Sequence, residues 1–307
     1  LLQQFYNIAD TLIVGQALGR NALAAVGSAY TLMTFLTSIF LGLSMGSGAL
    51  FSIALGKKDD ALLRSAVGHA FGLILAVTVV LNVLVYAFLD AILRFLQIPQ
   101  ELYGQMRGYL VIIFAGLLAT FLYNFFACLL RAAGNSVAPL CFLGLSAGLN
   151  IALDLLFVIV FHWGVSGAAL ATILSQAVSA AWVLRFLFSA KSGIRIRRGN
   201  MKFEKRVVGK VIGLGIAPFI MQSTESLVNI TLNAGLQRYG GDLYVGSMTI
   251  MQSIMQMLVM PVNGISQGAQ PIMSYNYGAK NYARVRETFR LLLKITMGVT
   301  VVCCLLL

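Results

Sequence analysis

Three carboxylates of this 307-residue chain, Asp10, Asp154 and Glu225, sit in stretches so apolar that water should hardly reach them. A charge at membrane depth costs about 3 kcal/mol even on lenient insertion scales, so such groups usually face a cavity, pair, or bind a proton or cation. The polar side chains around them repeat at helical spacing. Gln3, Asn7 and Asp10 stand at i, i+4 and i+7; Gln222, Glu225 and Asn229 at i, i+3 and i+7; Asn150 and Asp154 at i and i+4. Each set therefore shares one helix face. Thr172 follows one short hairpin after Asp154, across the His162-Trp163-Gly164 loop, so the two helices must be antiparallel neighbours and Thr172 can meet Asp154 near mid-depth. Asp10, Asn150, Asp154 and Thr172 would make a pocket of oxygens, offering ligands to a hard cation or, when dry, favouring a protonated carboxyl. For Gln3, Asn150 and Thr172 ordinary interhelical hydrogen bonding explains the same residues equally well.

The elements that must position these groups are membrane helices. With 59% hydrophobic and 10% charged residues and a mean hydropathy of +0.87, the chain fits no soluble domain. Apolar runs close to the roughly 18 to 20 residues needed to span a bilayer recur at 1–18, 24–55, 66–96, 106–130, 137–161, 165–189, 208–236, 243–276 and 287–307. That predicts about nine spans in an all-α integral membrane protein. Of 22 Lys and Arg, all but Arg20, Arg94, Arg107 and Arg238 fall in the loops after the second, fourth, sixth and eighth spans, which places the N-terminus in the cytoplasm. The net charge of +12 is then topological, and the basic run Arg195 to Arg206 suits anionic lipid heads rather than nucleic acid. Cys128, Cys141, Cys303 and Cys304 have no metal-ligand spacing, and His69 and His162 read as interfacial residues near span ends. No nucleophile elbow or phosphate loop points to an enzyme, no cofactor is implied, and no metal beyond Na⁺.

The chain also resembles itself at long range. Gly27-Ser28 recurs as Gly246-Ser247, a shift of 219 that also sets Gln3 on Gln222, Tyr6 on Glu225 and Asp10 on Asn229; further on, Gly56 matches Gly278 and Arg64 matches Arg286. A repeat of six helices returns the chain to its starting side, so two such lobes are parallel repeats about an axis along the membrane normal. The expected division is 1–189 for spans one to six, 190–206 for a basic cytoplasmic linker, and 207–307 for spans seven to nine of a second lobe. By repeat length, about 120 to 130 residues would complete twelve helices. Pro218 and Pro261 should kink the seventh and eighth helices, and Gly42, Gly46 and Gly48 occupy the place of Pro261 in the first lobe. Met248, Met251, Met255, Met257 and Met260, interleaved with Gln252 and Gln256, suit bulky varied ligands but read first as core filler.

Asn7-Ile8-Ala9-Asp10-Thr11 running into Val14-Gly15, the Arg131-Ala132-Ala133-Gly134-Asn135 turn, Asn150 with Asp154, and Gly167-Ala168-Ala169 leading to Thr172 together resemble the multidrug and toxic compound extrusion (MATE) family. The resemblance implies a V-shaped pair of six-helix lobes exporting organic, cationic and amphipathic compounds in exchange for H⁺ or Na⁺ across the cell membrane, as a monomer. It implies Asp10, Asn150, Asp154 and Thr172 as the coupling site. Glu225, Gln222 and Asn229 become a second candidate site for cation or substrate, and Gln3, Tyr6, Asn7, Tyr109, Met251, Gln252 and Met255 a candidate substrate cavity. The alternative within transport is a flippase for lipid-linked precursors, which would want a more cationic cavity than these acids provide.

Overall fold

The computed structural model describes residues 13, 15, 16, 33–95, 103–188 and 204–305. Its helices are α1 (Met33–Gly56), α2 (Asp60–Ala87), α3 (Leu89–Phe95), α4 (Tyr103–Ala115), α5 (Leu117–Ala132), α6 (Val137–Asp154), α7 (Gly164–Phe188), α8 (Lys205–Gly278) and α9 (Tyr282–Leu305). A π-helical turn, Leu155–Val160, continues α6. Among the described residues six helical stretches are long and apolar enough to cross a membrane: α1, α2, Met106–Ala132, Val137–Val160, Gly164–Leu187 and Lys205–Asn229. These match the second to seventh expected spans. The first expected span falls almost wholly outside the described residues. The expected runs 243–276 and 287–307 fall in α8 and α9 and are helical over their described residues.

Three connections at one end of the bundle share a single design. After Gly56, Lys58 takes φ 56° and Asp59 caps α2 by accepting a hydrogen bond from the Leu62 amide at 2.9 Å. After Gly278, Lys280 takes φ 59° and Asn281 accepts from Arg284 N at 3.3 Å. After Ala133, Gly134 takes φ 84° and Asn135 accepts from Ala138 N at 3.1 Å. A left-handed residue turns the chain and an Asp or Asn side chain satisfies an orphan amide of the next helix. The Gly56 and Gly278 turns match bond for bond: Lys57 N donates to Ile53 O at 3.0 Å as Ala279 N does to Tyr275 O at 2.9 Å, and Asp59 N to Ala54 O at 3.1 Å as Asn281 N to Asn276 O at 2.9 Å. The weak sequence repeat is therefore a structural one.

The two turns also touch each other reciprocally. A Cβ on Gly56 would strike the Tyr275 carbonyl, and a Cβ on Gly278 would strike the Ile53 carbonyl. Since residues 53 and 56 correspond to 275 and 278, contact between i and j′ is matched by contact between j and i′, the mark of a local two-fold axis.

The backbone of α8 keeps helical conformation over 74 residues, although Pro218, Pro261 and Pro271 inside it have no amide proton to donate. A straight helix of that length would reach about 110 Å. Yet Gly215 lies against Gly46 and Tyr275 against Gly56, positions only about 15 Å apart along α1. The run therefore doubles back, as the expected separate spans 208–236 and 243–276 require. The expected linker is shortened at its far end, because Lys205 and Arg206 already belong to α8.

The core joins α1, α2, α4, α5, α7 and the first turns of α8 through Phe40, Phe51, Ile74, Phe114, Phe121, Leu130, Val183 and Val211, all at or near zero exposure. Lipid tails are as apolar as these side chains, so cohesion comes from packing and interhelical polar bonds. Phe51, Phe71, Phe121, Phe125 and Phe126 form a ring-on-ring cluster with centroids 5.2 to 5.9 Å apart. At the end away from Lys57, Asn82 donates to Phe114 O and Tyr86 to Val111 O, both at 2.8 Å, and Asp90 accepts from Tyr103 at 3.0 Å and faces Arg107 at 3.5 Å. That polar row ties α2 and α3 to α4.

Candidate functional site

Every fourth residue of α6 faces α7, and the polar ones interlock. Ser179 Oγ donates to Phe142 O at 3.1 Å, Ser146 Oγ to Ser175 O at 2.9 Å, and Asn150 Nδ2 to Thr172 Oγ1 at 3.4 Å. Thr172 Oγ1 in turn donates to Ala168 O at 3.1 Å, so the amide fixes the hydroxyl's lone pair and the helix backbone fixes its proton. One turn beyond Asn150 on the same face stands Asp154, at 0% exposure. The hairpin brings Thr172 back against α6, where its hydroxyl accepts from Asn150, one turn from the expected partner Asp154. Asn150 Oδ1 is buried with no hydrogen-bond partner among the described residues. A buried acceptor in that condition costs about 1 to 3 kcal/mol, which a structural amide would not ordinarily leave unpaid.

Asp154 is also where the helix changes pitch. From Leu155 to Val160 the backbone bonds i to i+5, a form found mostly as single turns at functional sites. The turn ends in a stack of Phe157, Phe161 and Trp163, with ring centroids at 5.0 to 6.1 Å, closed by His162 at φ 53° and Gly164 at φ 61°. Gly167 admits the π turn closely, since a Cβ there would lie 3.1 Å from Phe157 Cβ. Ile13 packs against Val158 and Ala168. Asp10, Gln3, Tyr6 and Asn7 lie outside the described residues. Tyr109 is buried in the main core on α4, beside Gly108, whose added Cβ would stand 3.2 Å from Ser166 Oγ of α7.

The second candidate set does not gather in the same way. Ser226 is buried and donates to Gln222 O at 3.1 Å, and Ser223 meets Ser38 of α1 at 3.2 Å between hydroxyl oxygens. The face of α8 turned to α1 thus carries Gly215, Phe219 and Ser223. Gln222 and Asn229 are half-buried, whereas Glu225 is exposed. Met251 and Met255 are also exposed, at 60% and 62%, so they are not core filler here. The side chain of Gln252 lies outside the described residues.

Between α1, α5 and the returning arm of α8 a cavity of about 20 Å³ remains, lined by Met45, Cys128, Arg131, Gln267 and Gln270. It has room for about one water and none for a drug-sized molecule. Gly42 and Gly46 bring α1 and α8 together beside it: a Cβ on Gly42 would lie 2.8 Å from Phe219 Cβ, and one on Gly46 would strike the Gly215 backbone. This end of the bundle is closed by backbone-to-backbone contact. Gly48, by contrast, faces Cys128 of α5 at 3.4 Å. Among the described residues no cluster of three His, Cys, Asp or Glu side chains could hold a metal ion.

The orphaned Oδ1 supports a test of Asn150. Asn150→Leu, of similar volume, removes a desolvated acceptor, so we expect thermal stability of the purified protein in detergent to hold or rise while transport falls. A drop of several degrees in Tm with transport intact would mark Asn150 as structural.

A model of the MatE family matches residues 1–156 and 218–307. The chain is 27% identical over 284 residues to a probable multidrug resistance protein, YpnP, of Bacillus subtilis, covering 92% of this chain and 63% of that one. It is 24% identical over 307 residues to the multidrug export protein MepA of Staphylococcus aureus, covering 99% and 67%. Its fold superimposes on the outward-facing conformation of a multidrug resistance MATE family transporter of the MOP superfamily with a TM-score of 0.91, at 23% identity, over 97% of this chain and 66% of that one. The chain thus spans about two-thirds of the length of the proteins it matches.

Proposed function

The chain belongs to the MatE family, and from that premise we propose that the intact protein is a secondary active antiporter that exports organic compounds in exchange for H⁺ or Na⁺. Its substrates are amphipathic and cationic, in keeping with a candidate site built from carboxylates and amides. It works as a monomer in the cell membrane, with the N-terminus and the Lys57, Arg131 and Lys280 turns in the cytoplasm. Residues 1–189 form one lobe and 207–307 part of the second, joined by the basic segment 190–206.

The observation that carries the reading is Asp154, fully buried in a membrane-spanning helix one turn from an amide oxygen without a hydrogen-bond partner. A carboxylate there is costly unless it pairs or receives a proton or a cation, and a group that can be loaded and unloaded is what coupling requires. Asp10, Asn150 and Thr172 complete the coupling site, with Thr172 and Asn150 holding it in shape. Gln222, Glu225 and Asn229 form a second, exposed polar surface for cation or substrate, and Gln3, Tyr6, Asn7, Tyr109, Met251, Gln252 and Met255 line the substrate path. No cofactor takes part. Relatives named for multidrug resistance and export support the choice of substrates. Nothing in the described residues favours a lipid flippase.

The test is flux of ethidium in vesicles that hold the intact protein, under an imposed pH or Na⁺ gradient. Export driven by one of them is expected and identifies the ion; indifference to both would overturn antiport.

A further inference from the structure

The start of α8 is held to α2 by a buried histidine. His69 is 9% exposed. Its Nδ1 lies 2.7 Å from the Ser65 carbonyl oxygen, which can only accept, so Nδ1 carries the ring proton. Its Nε2 lies 2.9 Å from the backbone nitrogen of Glu204, which can only donate, so Nε2 presents its lone pair. The two neighbours thus assign the neutral Nδ1–H tautomer. Glu204 is the cap of α8, with extended backbone angles and no side-chain hydrogen bond to the helix it starts. Its amide instead reaches back 135 positions to His69.

We propose that His69 is a positioning residue of the transport cycle: by accepting the Glu204 amide it sets the axial register of α8 against α2, and so the fit of the α1–α8 seam that closes this end. The inference rests on the antiporter reading, since it assumes that the seam opens and closes. Glu204 precedes Gly215 by eleven residues, about 16 Å of helix. Over that distance α8 is helical and carries no proline, so a fixed start sets where Gly215 meets Gly42 and Gly46. Those contacts are backbone to backbone and tolerate little sliding. With the acceptor gone, the Glu204 amide loses its partner at the one point where the arm emerges from the chain joining the two halves, and the closed arrangement weakens relative to the open one.

Three substitutions separate this role from simple burial. His69→Gln places an amide oxygen where Nε2 was and can still accept from Glu204. His69→Asn is too short and reaches only the Ser65 side, while His69→Phe keeps the ring and offers no acceptor. Spin labels on Arg64→Cys and Arg286→Cys, in the intact protein with its native cysteines changed to serine, report the width of this end by their distance distribution. We expect Phe and Asn each to raise the ratio of wide to narrow populations about tenfold, and Gln to stay within about twofold of the parent. Equal behaviour of Asn and Gln, or an unchanged distribution in both Phe and Asn, would overturn the proposal. Ethidium export by the parent is measured alongside. Its absence would remove the exporter reading, while the distances would still decide the latch.

Discussion

Asp154→Asn is expected to abolish cation-driven export while leaving the protein folded and able to bind its substrate. The substitution keeps the size and polarity of a side chain at 0% exposure and removes its ability to gain or lose a proton or to neutralise a cation. It resembles the loaded site held permanently. Coupling free energies between two ligands of one protein run about 1 to 3 kcal/mol, so losing the term should lower efflux about 5- to 150-fold. The check is the initial rate of ethidium efflux from energised cells at matched expression, with ethidium binding by the purified protein as the control. Efflux within twofold of the parent would remove Asp154 from the coupling site.

The second large effect is expected at the two-fold contact. Gly56→Val and Gly278→Val each drive a side chain into a carbonyl of the opposing turn, Tyr275 O for one and Ile53 O for the other. Backbone cannot step aside as a flexible side chain can, and overpacking of this kind costs about 1 to 3 kcal/mol or more. Charged against the closed form alone, that shifts a two-state population about 5- to 150-fold toward the open one. Cys128 lines the small cavity behind the seam and supplies the readout. A membrane-impermeant maleimide applied from the Lys57 side should label it much faster in either variant, and export should fall by at least tenfold. Because both glycines serve one contact, the double variant should be little worse than either alone. Additive effects, or labelling unchanged in both, would mean that these turns do not gate this end.

The parts of the fold that could be read from sequence are those set by local periodicity. The short hairpin had to bring Thr172 back along α6 near the i, i+4 pair Asn150 and Asp154; the expected partner was Asp154, and the hydroxyl bonds Asn150. The Gly56 and Gly278 repeat was readable in residue type, but its conformation was not. Lysine is a poor guide to a left-handed residue, and only Gly134 in the third copy hints at it. The π turn after Asp154 is written in Leu, Phe, Val and Ile, which fit an α-helix as well, so no compositional cue marks it. His69 was read as an interfacial residue; it is buried, because its partner is a backbone amide 135 positions away and no side-chain pattern announces such a contact. Met251 and Met255 were read as core filler for a similar reason: spacing gives the face of a helix and not what covers it.

The central claim is that the cation and the exported compound act on one another through Asp154. The most direct measurement is of cation release when ethidium binds the purified intact protein, followed as protons with a pH indicator in weak buffer and as sodium by displacement of ²²Na⁺. Release of one of these ions by the parent on ethidium binding is expected, and none by Asp154→Asn under the same saturation. Binding with no release by the parent, or equal release by both proteins, would contradict it.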